Sequence, residues 1–411
     1  MKNLYILTVL LLVSCLSEDG VSPGSSETFI RYYNGGNNDE AKGLEVAPDG
    51  GYVILATTRI QKAESDIPQF KIKLIKTDNA GNPVWQKLYP DFGTADKNYT
   101  ASSLVNIPGG GFAIAGDSVG TDGSTKAFVM TVDANGDGTN ATRRSFGTGN
   151  LRGKAIAVTS AGNYLVLCTS GAEKAYLYEI HKTSFALINP NAVAKEAGST
   201  SLGSRLLLDQ AGNAVWSGVV TRSTLTGVRV TKNHPNNVLS EFDNTIGIPG
   251  FYMAGSDICK FGFEYAIVGS TNRKGTVVGS DTDILFMRIS ANGDTLRTQS
   301  FPLDDPLTSE NEDSQNDVGN SINGTRDGGL ILLSSVGSAA IKGRGDSDYY
   351  LIKIDAFGKK QWTSSFGSKF KDDGVAVRQI SDGSYVVLGT TTQGALKILT
   401  LLKTDKDGKI N

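Results

Sequence analysis

The stretch DGGYVILATT (49–58) decides the fold, because the chain repeats it. GGGFAIAGDS (109–118), DGGLILLSSV (327–336) and DGSYVVLGTT (382–391) are close copies. AGNYLVLCTS (161–170), AGNAVWSGVV (211–220) and FGFEYAIVGS (261–270) are looser ones. In each, a Gly/Asp/Asn turn opens a run of β-forming residues, which is a hairpin signal. Aligned, the copies share one position that is always small: Ala56, Gly116, Cys168, Gly218, Gly269, Ser334 and Gly389. The gaps between these positions are 60, 52, 50, 51, 65 and 55 residues. A small residue at a fixed place suits the narrow end of a tapering wedge, where neighbouring sheets crowd. Cys168 occupies that slot, so it belongs to packing rather than to chemistry.

The flanks of the hairpin repeat as well. A short apolar strand precedes the turn, as in Gly43–Ala47 and Gly374–Ile380. A third strand follows and ends in a second turn: KIKLIKTDNAG (71–81), AFVMTVDANG (127–136), DILFMRISANG (283–293) and YYLIKIDAFG (349–358). A fourth strand comes next, spanning 84–89 in the first unit and 361–366 in the sixth. Four strands in about 55 residues, repeated, match the blade of a β-propeller. No window sustains a helical period, so helices should be nearly absent. The seventh unit runs to Asn411 without a fourth strand, whereas an orphan strand, Glu27–Gly35, stands near the amino terminus. Pairing the two completes a blade and removes exposed sheet edges. The expectation is all-β: a single seven-bladed β-propeller of four-stranded blades over residues 27–411, its last blade closed by the N-terminal strand.

Composition agrees with this. Glycine supplies 49 of 411 residues and proline 11, which implies many tight turns without a low-complexity bias. Lys+Arg number 40 against 42 Asp+Glu, so a general electrostatic hold on nucleic acid is excluded. Three cysteines make no disulfide framework, and two histidines leave little for a His-rich metal site or a His-based triad.

Residues 1–14 read as a signal peptide. Lys2 gives the positive start and Leu4–Val13 a ten-residue apolar run, short of the ~20 residues that span a bilayer. The run ends in Leu12-Val13-Ser14-Cys15, which resembles a bacterial lipobox; the resemblance implies acylation of Cys15 and cleavage before it. Cleavage removes Lys2 and leaves a net charge of 39 − 42 = −3. Two or more acyl chains anchor stably where one does not. Leu16 in place of an aspartate favours the outer membrane, and Ser17-Glu18-Asp19 resembles a surface-export signal. Residues 15–26 would then form a lipidated, flexible tether.

The pattern D-G-G-[YF] followed by K-x-D-x-x-G-x-x-x-W-x-K resembles repeats in surface lipoproteins and secreted proteins of Bacteroidota. The first and sixth units both carry its K-x-D-x-x-G-x-x-x-W stretch, at Lys76, Asp78, Gly81 and Trp85 and at Lys353, Asp355, Gly358 and Trp362. The resemblance implies an anchored propeller and no uniform activity, since propellers host many. The D-x-x-G-x-x-x-W element is also similar to the tryptophan-docking motif of quinoprotein dehydrogenases and of a lipoprotein that assists outer-membrane barrel assembly. A spacing one residue shorter, with tryptophan in only two units, argues for packing of Trp85 and Trp362 between blades and against a quinone cofactor.

Three further features bear on chemistry. Asp133–Gly138 has the oxygen spacing of a calcium loop, but Arg144 stands where a bidentate carboxylate belongs, and a hairpin turn explains the same residues. Asp39, Asp317 and Asp372 each precede a DG-turn aspartate by ten residues. They are expected at one mouth of the channel, with Glu40, Asp373 and Glu310–Asp313 nearby, as a patch for a cation, a basic peptide or sugar hydroxyls. Backbone capping is the competing reading of the same three. His181 and His234 read as loop residues, and Cys259 as the start of a strand two blades from Cys168, too far for a disulfide.

No catalytic set emerges. The expected role is a non-catalytic, surface-anchored binding scaffold, held to the membrane through Cys15 and meeting an outer-membrane protein or a glycan. The alternatives are a carbohydrate-active enzyme that uses the channel-mouth carboxylates and an outer-membrane protein assembly factor. The longest spacing, around 303–317, is the place where sequence predicts specificity.

Overall fold

The computed structural model describes residues 27–61, 68–89, 98–138, 142–172, 174–192, 199–234, 240–274, 277–301, 316–337 and 345–410. Strand β1 spans Phe29–Tyr33. One four-strand group contains β2 (Asn38–Val46), β3 (Tyr52–Ile60), β4 (Gln69–Thr77) and β5 (Pro83–Tyr89). The next holds β6 (Asn98–Asn106), β7 (Phe112–Val119), β8 (Thr125–Val132) and β9 (Arg143–Phe146). Then come β10 (Arg152–Val158), β11 (Tyr164–Thr169), β12 (Ala175–Ile180) and β13 (Leu187–Ala192). They are followed by β14 (Ser199–Leu208), β15 (Ala214–Arg222), β16 (Leu225–Asn233) and β17 (Ser240–Ile246). The fifth group is β18 (Met253–Phe261), β19 (Glu264–Lys274), β20 (Val277–Ile289) and β21 (Thr295–Phe301).

The remaining strands are β22 (Val318–Gly324), β23 (Leu330–Gly337), β24 (Ser347–Ile354), β25 (Lys360–Phe366), β26 (Lys371–Gln379), β27 (Tyr385–Gln393) and β28 (Leu396–Thr404). They form one eight-stranded sheet together with β1. A single parallel bridge, Ser347 to Lys371, links its two halves. Within the second half β1 lies antiparallel beside β28, with Phe29 opposite Lys403 and Tyr33 opposite Leu399. The orphan amino-terminal strand therefore pairs as its sequence predicts.

The repeated small position has a structural cause. In every group it sits on the second strand, directly opposite another small residue on the first: Ala41–Ala56, Ala101–Gly116, Gly153–Cys168, Gly203–Gly218, Gly255–Gly269, Gly319–Ser334 and Gly374–Gly389. Immediately after each pair the first strand slips register by one residue, leaving Lys42, Ser102, Lys154, Ser204, Ser256, Asn320 and Val375 unpaired. Such a bulge bends the strand and re-aims the residues beyond it. The neighbouring group crowds this point. A Cβ on Gly153 would lie 2.6 Å from the Gly116 carbonyl oxygen, and one on Gly319 2.5 Å from that of Gly269.

The core lies between the groups. One apolar cluster joins Leu55, Leu74 and Tyr89 to Tyr99, Ile114 and Phe128, and comparable clusters fill each following junction. The last group packs on the first: Phe29, Tyr33, Val386, Leu388 and Leu401 meet Leu44, Tyr52, Ile54 and Ile75. Burying an aliphatic or aromatic side chain of this size contributes about 1.5–3 kcal/mol, so each junction is a substantial apolar contact.

The remaining motif residues hold turns and neighbours. The DG-turn aspartates pair with lysines of the third strand: Asp49 with Lys76 at 2.8 Å, Asp327 with Lys353 at 2.8 Å and Asp382 with Lys403 at 3.3 Å. The K-x-D aspartates instead accept backbone N–H groups of their own turns, as Asp355 Oδ1 does from Phe357 and Lys359. Trp85 packs over Gly136 of the next group and Trp362 over Gly408, so close that any Cβ on those glycines would collide with the indole. Phe29 covers Gly81 in the same way, and the Tyr33 hydroxyl donates to the Gly81 carbonyl at 2.7 Å. All these Asp/Asn-Gly turns share one face, the turn face. The far ends of the second and third strands, and the strand ends where one group gives way to the next, lie on the opposite face, the loop face.

Two outcomes test this packing. Gly269→Ala places a Cβ 1.8 Å from the Ala254 carbonyl oxygen and should destabilise by roughly 3 kcal/mol in urea unfolding. Gly250→Ala meets open space at φ +87° and should cost only about 1–2 kcal/mol. The second outcome concerns acid. Burial works to raise the Asp327 carboxyl, but hydrogen bonds from Lys353, Thr325 and the Gly329 N–H outweigh it and bring it to about 2. Because an unfolded aspartate titrates near ~3.9, this stabilisation is complete above that value and is lost as pH falls toward about 2. Wild-type stability should therefore fall across that window, and Asp327→Asn should flatten the fall.

Candidate functional site

The bulges aim the innermost strands at a common axis. Beyond each bulge, residues of β2, β6, β10, β14, β18, β22 and β26 together line one central cavity of about 420 Å³. Its wall mixes aliphatic side chains such as Leu104, Ile156 and Leu207 with Ser103, Asn106, Asn323 and four charged residues. The charged residues form two pairs. Arg378 reaches Glu45 at 3.4 Å across the junction of last and first groups, and Asn106 donates to the same carboxylate at 3.1 Å. Arg205 lies 3.7 Å from Asp257, which also accepts from the Ser321 hydroxyl at 2.9 Å and from the Ile322 N–H at 3.1 Å. The Ser321 hydroxyl accepts in turn from the Val377 N–H at 3.4 Å.

These bonds tie successive groups together around the axis. The four charges are all partly open to the cavity, with side chains 13–27% exposed. Two guanidinium groups and two carboxylates, interleaved with amides and hydroxyls, can donate and accept hydrogen bonds from one small volume. Cys259 is on the same wall. It lies deep in β18 and lines the cavity, rather than beginning a strand as its sequence position suggested. Cys168 and Cys259 are both free thiols. Burial pushes the Cys259 thiol well above its ordinary range, Asp257 adds to the rise and Arg378 opposes it.

Asp39, Asp317 and Asp372 lie elsewhere. Each precedes the small residue of its first strand by two positions, so its side chain faces the adjoining sheet, and all three are buried. Tyr99, Leu151 and Met253 fill the same place in other groups. Asp39 pairs with the buried Lys73 at 2.5 Å. Asp372 accepts from Thr391 Oγ1 at 2.5 Å and from the Ser368 N–H at 2.7 Å. Burial raises its carboxyl above the usual range even though the Thr391 and Ser368 bonds pull the other way. Asp317 accepts from the Gly337 N–H at 3.2 Å. This burial corrects the open acidic patch expected from sequence, and capping and junction packing take its place. Glu40 and Asp373 are more open, and each pairs with a lysine, Lys42 at 2.5 Å and Lys371 at 2.8 Å.

Other sequence candidates find ordinary roles. Asp133 Oδ1 accepts the Asn135 and Asp137 N–H groups, as a hairpin turn requires, and Asp137 pairs with Lys87 of the preceding group at 2.5 Å. His181 Nδ1 accepts from the Ser184 N–H at 3.2 Å at the end of β12. His234 sits 2.9 Å from Glu241, in a cluster where Lys232 meets both Asp209 and Glu241. Among the described residues, no group of three or more His, Cys, Asp or Glu could hold a metal ion. Cys15, the signal peptide 1–14, the tether 15–26 and Glu310–Asp313 lie outside the described residues.

No family model matches the chain, and no curated protein matches its sequence. Solved structures match its shape. The polysaccharide lyase Uly1 aligns with a TM-score of 0.54 at 10% identity, over 90% of each chain. The Dos1 propeller aligns at 0.53 and 8% identity, over 94% of this chain and 98% of that one. A protein of unknown function from Dyadobacter fermentans aligns at 0.52 and 9% identity, over 93% and 98%. Together with the sheet topology, these likenesses establish a β-propeller.

The raised Cys259 thiol should be slow to react. In the native protein at neutral pH, iodoacetamide should label it far more slowly than it labels the unfolded chain. Arg378→Ala should slow the labelling further, because the guanidinium is what favours the thiolate. Equal rates in native and unfolded protein would contradict the placement.

Proposed function

We propose that this chain is an outer-membrane lipoprotein, acylated at Cys15 and held by the tether 15–26, whose residues 27–411 form a seven-bladed binding scaffold. The blade count follows from taking the eight-stranded sheet as two blades that share one bridge, since an apolar junction divides its halves. The reading of the anchor rests on the lipobox and apolar run. Non-catalytic binding is favoured because the carboxylates of the central cavity are already engaged by Arg378, Asn106, Arg205 and Ser321. A general acid or nucleophile needs a carboxyl poised toward substrate, whereas a recognition site works with fixed, paired groups.

The single observation that carries the proposal is the convergence of all innermost strands on one polar-lined cavity. Its ligand, or the segment of a partner protein that enters it, should present both donors and acceptors. A carboxylated or hydroxyl-rich group, as in a glycan, and a polar loop of an outer-membrane protein both have that character. The contacts pass from Asp39, Asp317 and Asp372 to Glu45, Arg205, Asp257 and Arg378.

Carbohydrate chemistry is the second reading, because Uly1, which shares the fold, is named a polysaccharide lyase. It would draw on Glu45 or Asp257. A barrel-assembly role is the third, and a deletion strain with an unchanged outer-membrane protein profile would remove it.

The decisive experiment cross-links the intact lipoprotein on living cells and identifies what co-purifies, alongside a polysaccharide turnover assay. The proposal expects a reproducible partner or retained glycan that Arg378→Ala weakens several-fold, with no turnover. Turnover abolished by Glu45→Gln or Asp257→Asn would replace it with the enzymatic reading.

A further inference from the structure

The ring has a defined side from which its amino terminus departs. Phe29 is paired with Lys403, next to the turn Asp405–Lys409, so residues preceding β1 leave from the turn face. Cys15 lies 12 residues before Glu27, a reach of at most about 40 Å for extended chain. The same face carries the most exposed large apolar side chains of the described residues. Phe263, at the β18–β19 turn, is 84% exposed, and Phe357, at the β24–β25 turn, is 77% exposed. Leu296, 50% exposed, lies one residue before Arg297, which donates to the Phe357 carbonyl at 2.6 Å. These three residues sit on adjoining groups, and the exposed Lys260, Arg326 and Lys359 flank them. Three nearby acids are already engaged: Glu264 pairs with Arg288, Asp327 with Lys353, and Asp355 closes its own turn, while the exposed Asp294 accepts from the Ser290 hydroxyl at 3.4 Å.

We propose that this part of the turn face docks on the lipid surface to which Cys15 is anchored, with Phe263 and Phe357 entering the headgroup layer. Aromatic side chains on tight turns suit that layer, because an apolar ring can enter while flanking cations remain at the phosphates. The docking sets the orientation of the ring. The turn face lies on the membrane, and the opposite loop face, where β21 ends and β22 begins, is presented outward. The inference rests on the lipid-anchor reading above.

The test uses the full-length lipoprotein in phosphatidylethanolamine and phosphatidylglycerol vesicles, in a Cys259→Ser background. A polarity-sensitive thiol probe is attached either at Phe263→Cys on the turn face or at Val278→Cys on the loop face. Aqueous iodide should quench the probe at 278 several-fold more than the probe at 263, and brominated lipid should quench only the latter. Phe263→Ser with Phe357→Ser, both at exposed turns, should abolish the protection of a probe at Leu296→Cys while acylation persists. Equal quenching at 263 and 278 on an acylated, vesicle-bound protein would overturn the orientation. Mass spectrometry of the mature amino terminus separates the two claims, because an unmodified Cys15 refutes the anchor itself.

Discussion

The close approach of neighbouring sheets at their small-residue pairs is the constraint on which the rest of the molecule depends. Gly153 against Gly116 and Gly319 against Gly269 leave no space for a Cβ, so the inner ends of the sheets can converge. Where a full side chain would stand, the taper would be lost and the axis would open. The bulge that follows each pair is the second half of the device. It changes which residues face the neighbouring sheet and which face the axis, so packing and the central cavity are set by one local irregularity.

Convergence then distributes the core. Each sheet is apolar on both faces because it is covered on both sides, and the buried clusters lie in the junctions rather than within one sheet. A ring of this kind is only as secure as its last junction. Here β1 serves twice: it hydrogen-bonds to β28 and contributes Phe29 and Tyr33 to the junction with the first group. The Tyr33 and Tyr89 hydroxyls bond to the carbonyls of Gly81 and Gly136, so closure uses the same contact that joins groups inside the chain. In the proposed lipoprotein the closing strand also leads to the anchor, which couples the integrity of the ring to its attachment.

Much of this was legible in the sequence. The repeat, the strands of each unit, the pairing of the orphan strand and the packing role of Trp85 and Trp362 all follow from turn chemistry and spacing. The site was not legible, for a physical reason. The cavity positions after the bulge hold Glu45, Val105, Ala157, Leu207, Cys259, Asn323 and Arg378, and residues that share a place without sharing chemistry leave no motif. Asp39, Asp317 and Asp372 share chemistry and so stood out, yet strand parity would have placed them. Lying two residues before a residue that faces the adjoining sheet, they face it too. Their nearness to a strand start suggested a channel mouth, but the direction of the pleat puts them in the junction.

The central claim is that the ring is closed by β1, and hydrogen exchange on β28 tests it most directly. If β1 is hydrogen-bonded to β28, the amides of residues 399–403 that point toward β1 should exchange as slowly as those that point toward β27. Rapid exchange of the β1-facing amides, with the others protected, would show an open sheet edge and contradict the account.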